Sequence, residues 1–529
     1  MRKMMIVAGV VSLTASIALA LVHFIYEPLR GDGAWYLYPA YAMSQGGDPS
    51  ENIPGIVRTD PPPNRMVTMF PWENRSNLTV PINSLWFKLV APSWQSIRAF
   101  GAIQLFVLLA LFAYVTKLLT GNSTLSLFSV FLVAADARVV QEALSDARPE
   151  LMIAICAMTI VAFLVKAFDT SMARYFAGAG VFAAVLPLLH STAVMAISFI
   201  VFFLAAFFLL SRKSGRVVPA VPVAAVILTF VAVFFLRQSI LDVIIPTKVP
   251  ESLEILYRHN LVQELTKIIH GGFAAKSRME LNRWNEYFFI GNTGHFIFLL
   301  AALSSAATWF GRRQTNVSTD LAISLIGGFF GAAVTMFCLD SHRMNEHALV
   351  VSVLGYLACV AVLGAAIQVG AASEARVYAL CVAVLVTSSV LNLGHSYKVY
   401  ANYGAFNITN SSMQKAILGA LPTEGNVEVI GPTEIWPYLT QRKQPLLLVD
   451  NYRMIFSPIG RPIDVETDNH FTAARYLIID KDYFTRYNWK SGLAKLRAKG
   501  LIVKVGTLGD CDLASDCLEI YKFTAPRKT

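Results

Sequence analysis

The sequence predicts an α-helical polytopic membrane protein with about eleven transmembrane helices and a small C-terminal α/β domain. Three observations predict it. Of 529 residues, 55% are hydrophobic and only 15% charged, where a soluble domain carries about 25% charged residues. The mean hydropathy is +0.53. The apolar residues gather in blocks close to the ~20 residues that a helix needs to cross a bilayer. A soluble multidomain enzyme, a disordered chain and a coiled coil are excluded on these grounds.

The apolar segments run at about 5–25, 99–118, 121–137, 149–168, 173–189, 191–211, 217–237, 293–310, 320–339, 347–369 and 376–394. The short connections between them set an orientation. Arg2, Lys3, Lys117, Lys166, Arg174, Arg212, Lys213, Arg216, Arg312, Arg313 and Arg376 all fall on one side, against Asp169, Asp320 and Glu374. By the positive-inside rule that side is cytoplasmic, with the N-terminus inside and the C-terminus outside. The first segment, with Arg2-Lys3 before it and Ala18-Leu-Ala20 near its end, also has the features of a cleavable signal. Its apolar run exceeds the ~7–15 residues usual for such signals, so a retained helix is expected.

The polar regions then lie outside the membrane: a first loop at 26–98, a second near 136–149, a large loop at 238–292, a short one at 340–347, and a tail from about 396. Residues 1–395 form the membrane domain, and 396–529 an extracytoplasmic α/β domain. In the tail, strand-like runs (Val427-Glu-Val-Ile, Pro445-Leu-Leu-Leu-Val, Tyr476-Leu-Ile-Ile, Leu501-Ile-Val-Lys-Val) alternate with helix-like stretches such as 489–498. No internal repeat or low-complexity tract occurs. Four of the six cysteines, Cys156, Cys338, Cys359 and Cys381, fall in apolar segments as small buried hydrophobes. Cys511 and Cys517 stand in a polar loop without metal-ligand partners nearby, so a short disulfide is expected there, given an oxidising compartment.

An ion-coupled transporter would place ionisable residues mid-helix, at about 2.5–3.5 kcal/mol or more each. Here the acids and bases gather at outer helix ends and loops, which favours a site at the outer surface. Asp32 lies just beyond the first helix, between Gly31 and Gly33, ahead of the aromatic stretch Trp35-Tyr36-Leu37-Tyr38. Taken alone it reads equally as a helix cap beside interfacial aromatics. Arg138, Glu142, Asp146 and Glu150 recur every four residues as a charged stripe, with Pro149 expected to break it and start the fourth helix. Residues 252–270 have the pattern of an amphipathic interfacial helix.

The first loop, with an acid just after the first membrane helix and then aromatic-x-x-A-x-x-x-x-x-G-x-x-P, resembles that of the GT-C superfamily of membrane glycosyltransferases. The branch it is similar to holds the protein O-mannosyltransferases and the lipid A aminoarabinose transferase. The resemblance continues in order through Pro81-Ile-Asn-Ser-Leu-Trp-Phe-Lys-Leu-Val with Arg98, Ala147-Arg-Pro-Glu-Leu151, Leu188-Leu-His-Ser-Thr192 and Ser341-His-Arg-Met-Asn-Glu346, over about 350 residues. Two departures stand out. A single acid is followed by Gly33 where many members have two, and Met344 and Asn345 stand where members carry an aromatic.

The resemblance implies transfer of one sugar from a polyprenyl-phosphate donor to an extracytoplasmic glycan, lipid or protein. Such a reaction needs a base at the acceptor hydroxyl and cations at the departing phosphate. Asp32 is the expected base. Position 37, between Tyr36 and Tyr38, with Asp146 or Glu150, is expected to hold sugar or acceptor. Arg148, His190, His342 and Arg343 are expected to meet the lipid phosphate, although each alone reads as an interfacial residue facing headgroups. No divalent metal or other cofactor is indicated, no nucleic acid is an expected partner, and a bacterial inner membrane is the expected location. One rival is an O-antigen ligase or polymerase type centred on the 238–292 loop; another is a lipid or sugar transporter.

Overall fold

The structure, a computed structural model, describes residues 1–29, 37, 40–41, 43–44, 78–146, 148–190, 192–213, 219–244, 272–289, 292–310, 317–339, 347–422, 427–430, 435–439, 446–449, 475–480, 489–511 and 517–524. The helices in chain order are α1 (Arg2–Tyr26), α2 (Thr79–Leu89), α3 (Trp94–Thr120), α4 (Ser123–Ala134), α5 (Ala137–Gln141), α6 (Glu150–Thr170), α7 (Ala173–Leu189), α8 (Ala193–Lys213), α9 (Ala220–Ile244), α10 (Phe273–Phe289), α11 (Thr293–Phe310), α12 (Val317–Leu339), α13 (His347–Gln368), α14 (Glu374–Tyr403) and α15 (Asn410–Ala420). A π-helical turn, Glu142–Asp146, follows α5.

Each apolar segment coincides with a helix. Among the described residues, eight helices are long and apolar enough to cross a membrane; α4 with α5 forms a bent pair, α10 with α11 a second, and α7 is shorter. The first bent pair corrects the expectation of a single helix over 121–137: its halves meet at 62°. The physical reason is local. Asp136 caps α5, accepting from the backbone N–H of Arg138 (2.8 Å) and Val139 (3.2 Å), and an acid satisfied as an N-cap starts a new helix. The charged stripe is likewise not continuous, because the π turn breaks its four-residue spacing. Pro149 stands at the N-cap of α6, where the sequence places it.

The core explains the packing order. α13 is buried continuously from His347 to Ala366, the signature of a helix apolar on all sides and surrounded by others. α3 starts in a capping box: the Ser93 hydroxyl accepts from Ser96 N–H (3.1 Å) and the Ser96 hydroxyl accepts from Ser93 N–H (2.9 Å). Gly101 on α3 allows the π turn to lie directly on it, since a Cβ there would stand 1.7 Å from the Ala143 carbonyl.

α14 and α15 lead into a five-stranded sheet of β1 (Val427–Ile430), β2 (Leu446–Val449), β3 (Tyr476–Asp480), β4 (Ile502–Leu508) and β5 (Leu518–Phe523). The strand order is β2-β1-β3-β5-β4, with β2, β1 and β3 parallel and β5 antiparallel to both β3 and β4. β5 adds to the four strands expected from sequence, and α16 (Trp436–Leu439) and α17 (Trp489–Ala498) complete the domain. Cys511 and Cys517 are joined in a disulfide across the β4–β5 connection, with Cα atoms 5.0 Å apart. A second apolar core joins this domain to the membrane helices. It contains Val80, Phe87, Trp94 and Ile97 of α2 and α3, Met413 and Ile417 of α15, Trp436 and Tyr438 of α16, and Ile478 and Ile520 of the sheet.

Candidate active site

The end of α1 is met by polar groups from α3 and α15. Asp32 itself lies outside the described residues, as do His342, Arg343 and the 252–270 stretch. The chain leading to Asp32 is described to Leu29, and it is held by buried polar groups. Arg98, fully buried, donates through Nη1 to the His23 carbonyl and through Nη2 to the Glu27 carbonyl. Its guanidinium also stands over the rings of Phe24 (5.7 Å) and Trp94 (5.9 Å). Asn410 Nδ2 donates to the carbonyls of Phe24 (3.1 Å), Ile25 (3.3 Å) and Glu27 (3.0 Å). A helix leaves its last carbonyls without intrahelical partners, and here those of His23, Phe24, Ile25 and the cap residue Glu27 meet Arg98 and Asn410. Within the helix, His23 Nδ1 pairs with the Glu27 carboxylate. Arg98 thus acts on backbone, which the family resemblance located but did not explain.

Beyond Asp32 the chain is described again at Leu37. Position 37, expected to face sugar or acceptor, is a leucine 3% exposed within the second core, so it offers no hydroxyl. Tyr41 stacks on Trp436 with ring centroids 5.0 Å apart, and burial pushes its phenol above the usual tyrosine pKa.

The second acidic region follows the bend. The backbone of Asp146 ends the π turn. Arg148 Nε and Glu150 Oε2 lie 3.4 Å apart, both buried, and the second Glu150 oxygen, Oε1, is buried without a hydrogen-bond partner. Arg148 and Glu150 therefore form a buried ion pair at the start of α6. His190 closes α7: its Nδ1 accepts from Thr192 N–H (3.3 Å) and lies 2.9 Å from the Thr192 hydroxyl. With Nδ1 accepting, the neutral ring carries its proton on Nε2, which is the form that can donate to an anion. Two residues earlier in the chain, the Leu188 carbonyl accepts from Leu78 N–H (2.7 Å), tying this turn to the far end of the first loop.

Two clusters escaped sequence reasoning. Asp136 is fully buried, and besides the α5 N-terminus it accepts from Asn292 Nδ2 (2.8 Å) and the hydroxyls of Tyr287 (2.9 Å) and Tyr356 (2.8 Å). It thereby joins the bend to α10, to the start of α11 and to α13. Its signal was an acid within Val133-Ala-Ala-Asp-Ala-Arg138, an apolar run where an ionisable group is a functional candidate by default. The other cluster lies on α10, where Glu280 pairs with Lys276 (3.4 Å) and Arg283 (3.0 Å). With Tyr287 these residues make one inward face at helical spacing. The 238–292 region therefore reaches the centre of the bundle.

No family profile matches the sequence, and no curated protein matches it. Among solved structures it is similar to ArnT from Cupriavidus metallidurans bound to undecaprenyl phosphate, at 13% identity over 98% of both chains with a TM-score of 0.55. At that identity the likeness speaks for architecture, and it spans membrane helices and C-terminal sheet together. The chain has the fold of ArnT, over membrane helices and sheet alike.

Proposed function

We propose that this protein is a membrane glycosyltransferase that moves one monosaccharide from a polyprenyl-phosphate donor to an extracytoplasmic acceptor. The observation that carries the reading is the shared architecture over the whole of both chains, with the similar structure bound to undecaprenyl phosphate. The position of Asp32, six residues past the end of α1 and three past Leu29, agrees with it. The acceptor hydroxyl attacks the anomeric carbon, and the bond from that carbon to the phosphate oxygen breaks. The proton passes to the Asp32 carboxylate and the electron pair leaves on the lipid phosphate. One base and one leaving-group site suffice for a single displacement, which inverts the anomeric carbon. An Asp of ordinary pKa near 4 is ionised at neutral pH and can take the proton late in the step.

In this reading Arg148, His190, His342 and Arg343 receive the departing phosphate, and Asp146 or Glu150 orients the sugar or acceptor. Asp32→Asn keeps the side chain's size and removes its basicity, so transfer falls by about 10²–10⁴ with little change in donor binding. Arg343→Ala removes a phosphate contact and weakens donor binding by about 1.5–3 kcal/mol, the worth of a charged hydrogen bond. The measurement uses purified protein in nanodiscs and a panel of undecaprenyl-phosphate pentoses and hexoses. Near-normal turnover by Asp32→Asn, with Arg343→Ala unaffected in both quantities, would discard both assignments and shift attention to the Glu280–Arg283 face of α10.

A further inference from the structure

We propose that the C-terminal domain positions the segment bearing Asp32, gripping it on both sides through α16 and Asn410; the catalytic meaning of this grip rests on the reading of Asp32 as the base. The first grip is polar. The Tyr438 hydroxyl accepts from Leu29 N–H (3.1 Å) and donates to Asn410 Oδ1 (2.6 Å). Asn410 turns its amide nitrogen to the last carbonyls of α1. Asn410 is 0% and Tyr438 1% exposed, so these bonds form where water does not compete and where a lost partner is costly. Glu27 is already extended, at φ −74° and ψ 121°, so the hydroxyl of Tyr438 engages the chain just after it leaves the helix.

The second grip is apolar. Trp436, two residues before Tyr438, stacks on Tyr41 at 5.0 Å with an interplanar angle of 17°. Phe87 of α2 stands edge-on to both, 6.2 Å from Trp436 and 6.5 Å from Tyr41. Leu37 and Ala40 are buried in the same core. Only positions 30–36 separate Leu29 from Leu37, and Asp32 is among them. A four-residue turn thus holds the chain on either side of the proposed base.

The chemistry gives the grip its meaning. A general base works only within hydrogen-bond reach of the proton it takes, and a misplacement of about 1 Å can cost about 10²-fold in rate. Asp32 has no partner acid beside it in sequence, since Gly33 follows. What the C-terminal domain holds is the chain on either side of it, at Leu29 and Tyr41. Tyr438 and Asn410 are positioning residues, and they act through the backbone that carries Asp32.

The test uses the full-length protein in nanodiscs with Tyr438→Phe, Asn410→Ala and the conservative Trp436→Phe. Hydrogen exchange is followed on peptides covering residues 27–44, binding with undecaprenyl phosphate, and turnover with whichever undecaprenyl-phosphate sugar the wild type uses. Tyr438→Phe and Asn410→Ala should each speed exchange in that segment by about tenfold or more. They should lower kcat by about 10–100-fold and leave undecaprenyl phosphate affinity within about twofold, a split that general misfolding does not give. Trp436→Phe, which keeps a ring against Tyr41, should stay near wild type. Added to Asp32→Asn, Tyr438→Phe should cost nothing more, because groups acting as one unit are non-additive. Unchanged exchange in both polar variants, or losses that multiply with Asp32→Asn, would overturn the proposal. If exchange rises while Asp32→Asn keeps full turnover, the assignment of the base falls and the grip on the segment stands.

Discussion

Asp136 accepts five hydrogen bonds, from two backbone N–H groups, one amide and two phenols. Tyr356 is nine residues into α13 from His347, about 14 Å along the helix axis at 1.5 Å per residue. The carboxylate therefore sits well inside the bundle, where an ionised group survives only with this density of donors. Nearby, His295 Nε2 donates to the Leu132 carbonyl (2.7 Å), fastening α11 to α4. Asn392 Nδ2 reaches the Ala135 carbonyl (3.0 Å) and the Ser16 hydroxyl (3.2 Å), bringing in α14 and α1. Such a hub predicts that Asp136→Ala destabilises by about 1–3 kcal/mol for each buried donor left without a partner. Tyr356→Phe should cost less, since Tyr287 still donates to the same oxygen. Thermal unfolding in detergent measures both, and an unchanged Tm for Asp136→Ala would show that water or a neighbour replaces the carboxylate. The sequence made Asp32 conspicuous through its glycines and its place after a helix. Asp136 was hidden because its partners come from positions 287, 292 and 356, and only folding brings those to it.

At the scale of elements, apolar length alone located the long helices, because a bilayer demands ~20 residues of a helix whatever its neighbours are. Bends were less legible. The α4–α5 break follows from a cap that uses Asp136, and the 113° meeting of α10 with α11 follows no proline in that stretch. In the tail, strand-like apolar runs pointed to four strands. Leu518-Glu-Ile-Tyr-Lys-Phe523, broken by Glu519 and Lys522, forms β5 at the heart of the antiparallel half, paired with both β3 and β4. The Cys511–Cys517 bridge pins the β4–β5 turn on the free side of that half. Both cysteines should therefore resist alkylation in the native protein and take label only after reduction, read as a mass shift on the peptide that contains them. Free labelling without reductant would discard the bridge and, with it, one argument that this domain faces an oxidising compartment.

At the scale of the whole molecule, the two ends of the bundle differ in kind. At one end Gln368 Nε2 donates to the Thr120 carbonyl (2.8 Å) and Asn122 Nδ2 donates to the Tyr378 hydroxyl (3.0 Å). These bonds gather the end of α3, the start of α4, the end of α13 and the start of α14. Lys117 and Arg376 lie in the helix turns beside these bonds. At the other end stand the close of α1, the start of α3, Arg98, and the sheet with its shared core. The charge bias is legible from sequence because it lies in short connections, whereas the joining of the C-terminal domain to α1 and α3 depends on contacts as much as 409 residues apart, as for Leu29 with Tyr438. If the positive-inside rule holds, the basic end is cytoplasmic and the Asp32 end is outside. A reporter active only outside the cytoplasm should then work when fused at Ala405, just past α14, and fail at Gly215 or Gln314. In the expected topology these positions fall on opposite sides of the membrane, so one orientation cannot satisfy activity at both. Activity at Gly215 with silence at Ala405 would invert the molecule. The clamp and every proposed phosphate contact would then face the cytoplasm, and the donor would have to be presented from that side.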